Sequence, residues 1–175
     1  FHKIGNKFEN TKIKSLDPQN IIDRVIAPEN IVGSVVYPAS SIVEPGIIKH
    51  INGNRFSLGE PSGFNTERLT YLSNTLKKAG FKAPIQKNIR DEIWLKLIGN
   101  LSFNPISALT GATLEEICNN EGTERIIREM MSEAKIIAEK LGAKISISLD
   151  KRIDGARKVG AHKTSMLQDI ESRKP

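Results

Sequence analysis

Hydrophobic residues along this chain change their spacing once, near residue 88, and the two spacings predict two kinds of structure. Before that point they come as short β-branched runs, "NIVGSVVYP", "IVEPGIIKHI" and "NRFSL", broken by Pro45, Gly46 and the "NGN" at 52–54. Such runs between turn-forming residues read as strands joined by tight turns. Ahead of them, "LDPQNIIDRVIAPEN" sets Asp17 as an N-cap and Pro18 at the first helical position. Ile21, Ile22, Val25 and Ile26 then share one side until Pro28, which predicts a short helix. After the strands, Leu69, Leu72 and Leu76 recur at helical spacing up to Gly80, and "FKAPIQKN" reads as one more strand.

From Ile89 onward strand signals vanish. Thr113 with Glu116 forms a capping box, and Ile126, Ile127, Met130, Met131, Ala134, Ile137 and Leu141 make a long amphipathic stripe that ends at Gly142. Ser148 starts a further helix around Ile153, and Ser165 with Gln168 makes a second capping box. The expected boundary falls near Lys87, between the closing part of an α/β or mixed domain and an all-α domain. The pattern contains no internal repeat and no low-complexity segment.

The stretch "EIWLKLIGNLSFNPISALTG", 92–111, departs from its own pattern. Ile93, Trp94, Leu97, Ile98 and Leu101 give a helix an apolar face, while Lys96, Asn100, Asn104 and Ser107 line one flank at intervals of about a turn. Pro105 lacks a donor and disfavours helical geometry at Asn104, so a bend or an end is expected there. A polar flank beside a bend can form a cleft wall. The ordinary alternative is a solvated lysine with two asparagines bonded to nearby backbone. "HKTSMLQD", 162–169, is ambiguous in the same way. Ser165 at a helix start, with free N–H groups behind it, could hold a carboxylate or phosphate, or could simply cap the helix. His162 reads as an ordinary surface histidine.

Charge narrows these options only slightly. The net charge of +6 permits an anionic partner, yet Lys and Arg are scattered and no aromatic-rich basic strand occurs, so nucleic acid is not an expected partner. A single cysteine, Cys118, and three histidines make a disulfide or a His-rich metal site improbable and fit a reducing cytoplasm. No apolar run reaches membrane-spanning length, and "FHKIGNKFEN" has neither an initiating Met nor a signal-peptide pattern. None of the 13 glycines is separated from another by a single residue, so the G-x-G dinucleotide fingerprint is absent. An apolar stripe through Met130 and Met131 leaves open a non-catalytic binding module or a homodimer contact.

Taken in order, "VVYPASSIVEPGIIKHINGNRFSLGEP", "IRDEIWLKLIGNLSFNPISALTG" and "AHKTSMLQD" resemble the ketopantoate reductase (2-dehydropantoate 2-reductase) family over nearly the whole chain. The W-x-K-L-x-x-N-x-x-x-N-P pattern followed by S-M-L-Q-D carries the resemblance. It implies an α/β plus all-α fold, in which 1–87 closes a Rossmann-type NADP-binding domain and 88–175 is an incomplete helical substrate domain. It further implies reduction of ketopantoate, a small 2-oxo acid, by NADPH on the way to pantothenate and coenzyme A. Matched onto the motif, Lys96 corresponds to the proton donor and Asn100, Asn104 and Ser165 to substrate-binding positions. Ala39 corresponds more loosely to a backbone contact with the cofactor, and no metal is implied. Three departures follow from the same match. The glycine-rich first turn is expected before Phe1, and a site glutamate just beyond Pro175, so the chain by itself is expected to be inactive. An asparagine found in some members aligns near Leu114, where this chain is apolar.

Overall fold

In the computed structural model, which describes residues 8, 9 and 11–174, the first helix starts later than the Asp17–Pro18 pair predicts. This helix, α1 (Ile21–Val25), has Asn20 at its N-cap with a left-handed φ of 53°. Asp17 reaches in from upstream, its carboxylate accepting from the amides of Ile21 at 2.8 Å and Asp23 at 3.1 Å. Pro18 therefore stands outside the helix. The opening "FHKIGNKFEN" lies mostly outside the described residues.

Four strands follow: β1 (Gly33–Val36), β2 (Ala39–Glu44), β3 (Ile47–Asn52) and β4 (Phe56–Gly59). β2 and β3 form an exposed antiparallel hairpin across Pro45 and Gly46, where the φ of +82° explains the glycine. β1 pairs antiparallel with β4. The expected last strand, "FKAPIQKN", is only a fringe running parallel to β4. Phe56 donates to the Lys82 carbonyl at 2.8 Å, Leu58 to Pro84 at 2.9 Å, and Gln86 to Leu58 at 2.7 Å. Pro84 has no N–H, so a regular ladder cannot extend through it. Helix α2 (Glu67–Lys78), capped by Thr66, covers this layer. Leu69 joins Leu58 and Ala83 in a small core, and the buried Ser73 hydroxyl donates to the Ala83 carbonyl at 2.6 Å. Glu60, almost fully buried, accepts from Arg68 Nε at 2.7 Å and Nη2 at 2.6 Å, and those bonds hold its carboxyl below the usual carboxylate range.

The first turn of helix α3 (Ile89–Thr110) belongs to this unit and packs at two glycines. Gly33 and Gly59 face each other across β1 and β4, and a Cβ on Gly59 would lie 2.6 Å from Cβ of Ile89. The missing side chains are what let Ile89 pack there, fully buried. One helical turn on, Glu92 Oε1 accepts from Arg55 Nη2 at 2.8 Å, Ser57 Oγ at 2.9 Å and Tyr37 Oη at 3.0 Å. The first compact unit ends at Glu92 and the second begins at Ile93.

The second unit is helical throughout: the rest of α3, α4 (Leu114–Asn119), α5 (Glu121–Lys140), α6 (Leu149–Lys158) and α7 (Ser165–Glu171). Thr113 and Glu116 form the expected capping box, and Ser148 caps α6. Pro105 does not end α3, which runs on to Thr110 and stops before Gly111 at φ +71°. The core joins Ile98, Phe103, Ile117, Cys118, Ile127, Met131 and Ile153, and burial pushes the Cys118 thiol up. Met131 is fully buried there, so it is not part of an exposed stripe, whereas Met130 is half-buried and Ile126 and Ile137 of the same helix are exposed. Arg157 ties α4, α5 and α6 together by donating to Asn119 at 2.9 Å, the Cys118 carbonyl at 2.8 Å and Glu124 at 3.2 Å.

Candidate active site

The face that α3 buries keeps Ile98 of the expected apolar face, with Leu101 packed against the core, but leaves Leu97 out. Ile98, Gly99, Ser102, Phe103 and Ser107 are buried, whereas Leu97 is 41% exposed. The inward side is therefore rotated from the Ile93–Leu97–Leu101 line toward the Ile98–Ser102 line. At 99 the missing side chain leaves room for the guanidinium of Arg152 from α6. Ser107 belongs to this inner side as well. Its hydroxyl donates to the Ala112 carbonyl at 2.6 Å, so it closes the α3–α4 turn and is not a cleft wall.

The remaining polar residues stay at the lip. Lys96 and Asn104 are half-buried and Asn100 is exposed, on successive turns of one continuous helix. With a rise of about 1.5 Å per residue, the row extends roughly 12 Å along the axis. Among the described residues neither carboxamide makes a hydrogen bond. The alternative of asparagines spent on neighbouring backbone is thus removed, and two donor–acceptor groups with open valences stand in line with an ammonium. Such a row can bind carbonyl, hydroxyl and carboxylate oxygens.

Ser165 does not play the role its spacing suggests. Thr164 caps α7, its side chain accepting from the Leu167 amide at 3.3 Å, and Gln168 donates to the Lys163 carbonyl at 2.8 Å instead of closing a capping box. Thr164 is buried and can hold the cap geometry, which leaves Ser165 one residue inside the helix with an exposed hydroxyl. Backbone bonds tie this segment to the start of α4. Leu114 donates to the carbonyl of the exposed His162 at 2.9 Å, and Leu114 itself follows the turn that Ser107 closes.

Sequence reading passed over Gly99 and Arg152. A glycine inside a helix costs about 1 kcal/mol relative to alanine, so its presence between Lys96 and Asn100 signals a packing demand. Arg152 of α6 supplies the demand. Its guanidinium lies where a side chain at 99 would be, the Cζ 3.2 Å from the position of a Cβ, and Nη2 donates to the Leu95 carbonyl at 3.3 Å.

Ala39 lies in the first unit, exposed at the start of β2, where the pairing with β3 is irregular between Ala39 and Ser40. Among the described residues no three His, Cys, Asp or Glu side chains gather as a metal site, and no helix is long and apolar enough to cross a membrane.

Residues 88–175 match the family model described as "Ketopantoate reductase PanE/ApbA C terminal". Over all 175 residues the chain is 53% identical to a 2-dehydropantoate 2-reductase of Mesorhizobium japonicum, covering 54% of that protein. It is 25% identical over 160 residues to one of Nostoc sp., covering 88% of this chain and 50% of that one. The crystal structure of 2-dehydropantoate 2-reductase from Geobacter metallireducens superposes with a TM-score of 0.79 at 26% identity, over 88% of this chain and 52% of that one. D-mandelate dehydrogenase, solved with NADH, shares the fold at a TM-score of 0.77 and 18% identity, over 89% of this chain and 54% of that one. The chain spans about half the length of the curated relatives it matches. With a whole-chain relative above half identity and a family model over the helical half, this chain belongs to the ketopantoate reductase family.

Proposed function

We propose that the complete protein reduces 2-dehydropantoate to pantoate with NADPH, as part of pantothenate and coenzyme A synthesis in the cytoplasm. The row of Lys96, Asn100 and Asn104 carries this reading, because it offers a proton and two unpaired carboxamides along one helix face. Hydride addition to a ketone places negative charge on its oxygen, and an ammonium beside that oxygen stabilises the charge and donates the proton. The carboxamides orient the substrate's hydroxyl and carboxylate without adding charge, and Ser165 contributes a further hydroxyl.

The nicotinamide supplies the hydride when bound. Residues of this chain fit it only in part: Ala39 is an exposed residue at an irregular strand start, but the sequence holds no glycine-rich turn to cradle a pyrophosphate. That cradle is assigned to the part of the family's length this chain does not span. A second reading keeps the chemistry and changes the acid, since apolar Leu114 replaces an asparagine some members carry. The fold is shared with D-mandelate dehydrogenase and so does not by itself choose the acid or the nicotinamide.

The test is turnover of a panel of 2-oxo acids by the complete protein with NADPH and with NADH. Ketopantoate is expected to give the highest kcat/KM. A bulkier apolar acid in first place would replace the substrate, and no turnover of any of them would reject the function.

Ser165→Ala is expected to raise KM for the 2-oxo acid by roughly 10-fold or more, since a hydrogen bond to a charged group contributes about 1.5–3 kcal/mol. Because Thr164 holds the cap, Tm should stay close to that of the parent. A drop in Tm with an unchanged KM would return Ser165 to a structural role.

A further inference from the structure

We propose that Arg152 is a positioning residue for the reduction, acting through the turn of α3 that carries Lys96 and Asn100; the inference rests on the oxidoreductase reading above. Three observations place it there. Arg152 extends from α6 to the backbone of α3, and its Nη2 donates to the carbonyl of Leu95, the residue before Lys96. Its guanidinium occupies the space above Gly99, the residue before Asn100, which no other amino acid could leave empty. Ile153, the next residue of α6, is buried in the core that also holds Ile98. Arg152 and Ile153 thus join α6 to the inner side of the same helical turn.

A carbonyl inside a helix already accepts one amide hydrogen, and its second lone pair is free for a charged donor. Taking that donor from a planar guanidinium fixes two things together. The axial position of the turn is set by the bond to Leu95, and its rotation is set by the flat group lying on Gly99. Lys96 and Asn100 project from that turn toward the lip, one residue on from each anchored point. Their position is therefore coupled to the seat of Arg152, whose Nη2 donates to the Leu95 carbonyl. A displacement of a reacting group by about 1 Å can cost up to 10²-fold in rate, so small errors in this turn are visible in kcat.

Gly99 and Arg152 give two independent ways to unseat the clip in the complete protein. Arg152→Met keeps the stem and removes the donors. Gly99→Ala keeps the arginine and expels it from its seat. Each is expected to lower kcat for the 2-oxo acid by about 10- to 100-fold with the dissociation constant for NADPH unchanged, measured well below each variant's own Tm. The double variant should be no worse than either single one, because both remove the same contact. Arg152→Lys, which restores a donor without the flat fork, should recover part of the loss. Parent kcat in both single variants would overturn the clip while leaving the function intact, as would losses that multiply in the double variant or merely follow the unfolded fraction. A parent protein inactive on every 2-oxo acid would instead reject the function and this role with it.

Discussion

Replacing Lys96 by Met in the complete protein is expected to lower turnover by roughly 10²–10⁴-fold, the usual contribution of a positioned general acid, with NADPH affinity nearly unchanged. Methionine retains most of the stem that packs at the lip of α3, so folding should survive, while the charge and the proton are both lost. Asn100→Ala should behave differently. It removes a group that orients substrate in ground and transition states alike, so KM should rise more than kcat falls. The two variants stand one helical turn apart on the same row, and their contrast separates the acid from its neighbours. Steady-state kinetics and a cofactor titration decide the matter. Turnover of the Met variant within a few-fold of the parent would take Lys96 out of the mechanism and leave the row as a solvated face.

Much of this was legible before any coordinates, and the limits fall at identifiable residues. Local signals did well where one residue's chemistry decides: Thr113 with Glu116 at α4, Ser148 at α6, and the left-handed glycines at 46, 80 and 142 that end a strand or helix. They failed where two candidates compete for one role. Thr164 and Ser165 are both good caps, and sequence spacing favoured the one that pairs with Gln168. Burial decided for Thr164, which the fold encloses. The Asp17–Pro18 start failed similarly, because a carboxylate can satisfy amides four and six residues away while the helix waits for Ile21. Pro105 does not end its helix, for another reason. Its missing donor and steric demand oppose a helix in isolation, yet Phe103 and Ser107 are both buried on either side of it, and that packing keeps α3 continuous. As for the candidate site, resemblance proposed its residues, whereas their bonding state was not legible. Only the structure distinguishes the unpaired carboxamides of Asn100 and Asn104 from the spent hydroxyl of Ser107.

The rotation of α3 makes a second large prediction, in stability and not in rate. Ile98→Ala is expected to destabilise the complete protein by about 2–5 kcal/mol, the cost of deleting buried methyl groups and leaving a cavity. Ile98 is 1% exposed and packs with Ile117, Ile127, Met131 and Ile153, a cluster drawn from four helices that cannot all relax into the space. Leu97→Ala removes a side chain of similar size one position away, but from the 41% exposed side, and should cost about 1 kcal/mol or less. The expected apolar face held both residues and so ranked them equal. Asn100→Ala supplies the third corner: its carboxamide bonds to nothing among the described residues and alanine favours helix, so stability should move by no more than about 0.5 kcal/mol while KM rises. Denaturant midpoints with unchanged slopes, read beside KM for the 2-oxo acid, put the three variants on separate axes. Equal losses from Ile98→Ala and Leu97→Ala would mean that α3 is turned as its leucines suggest.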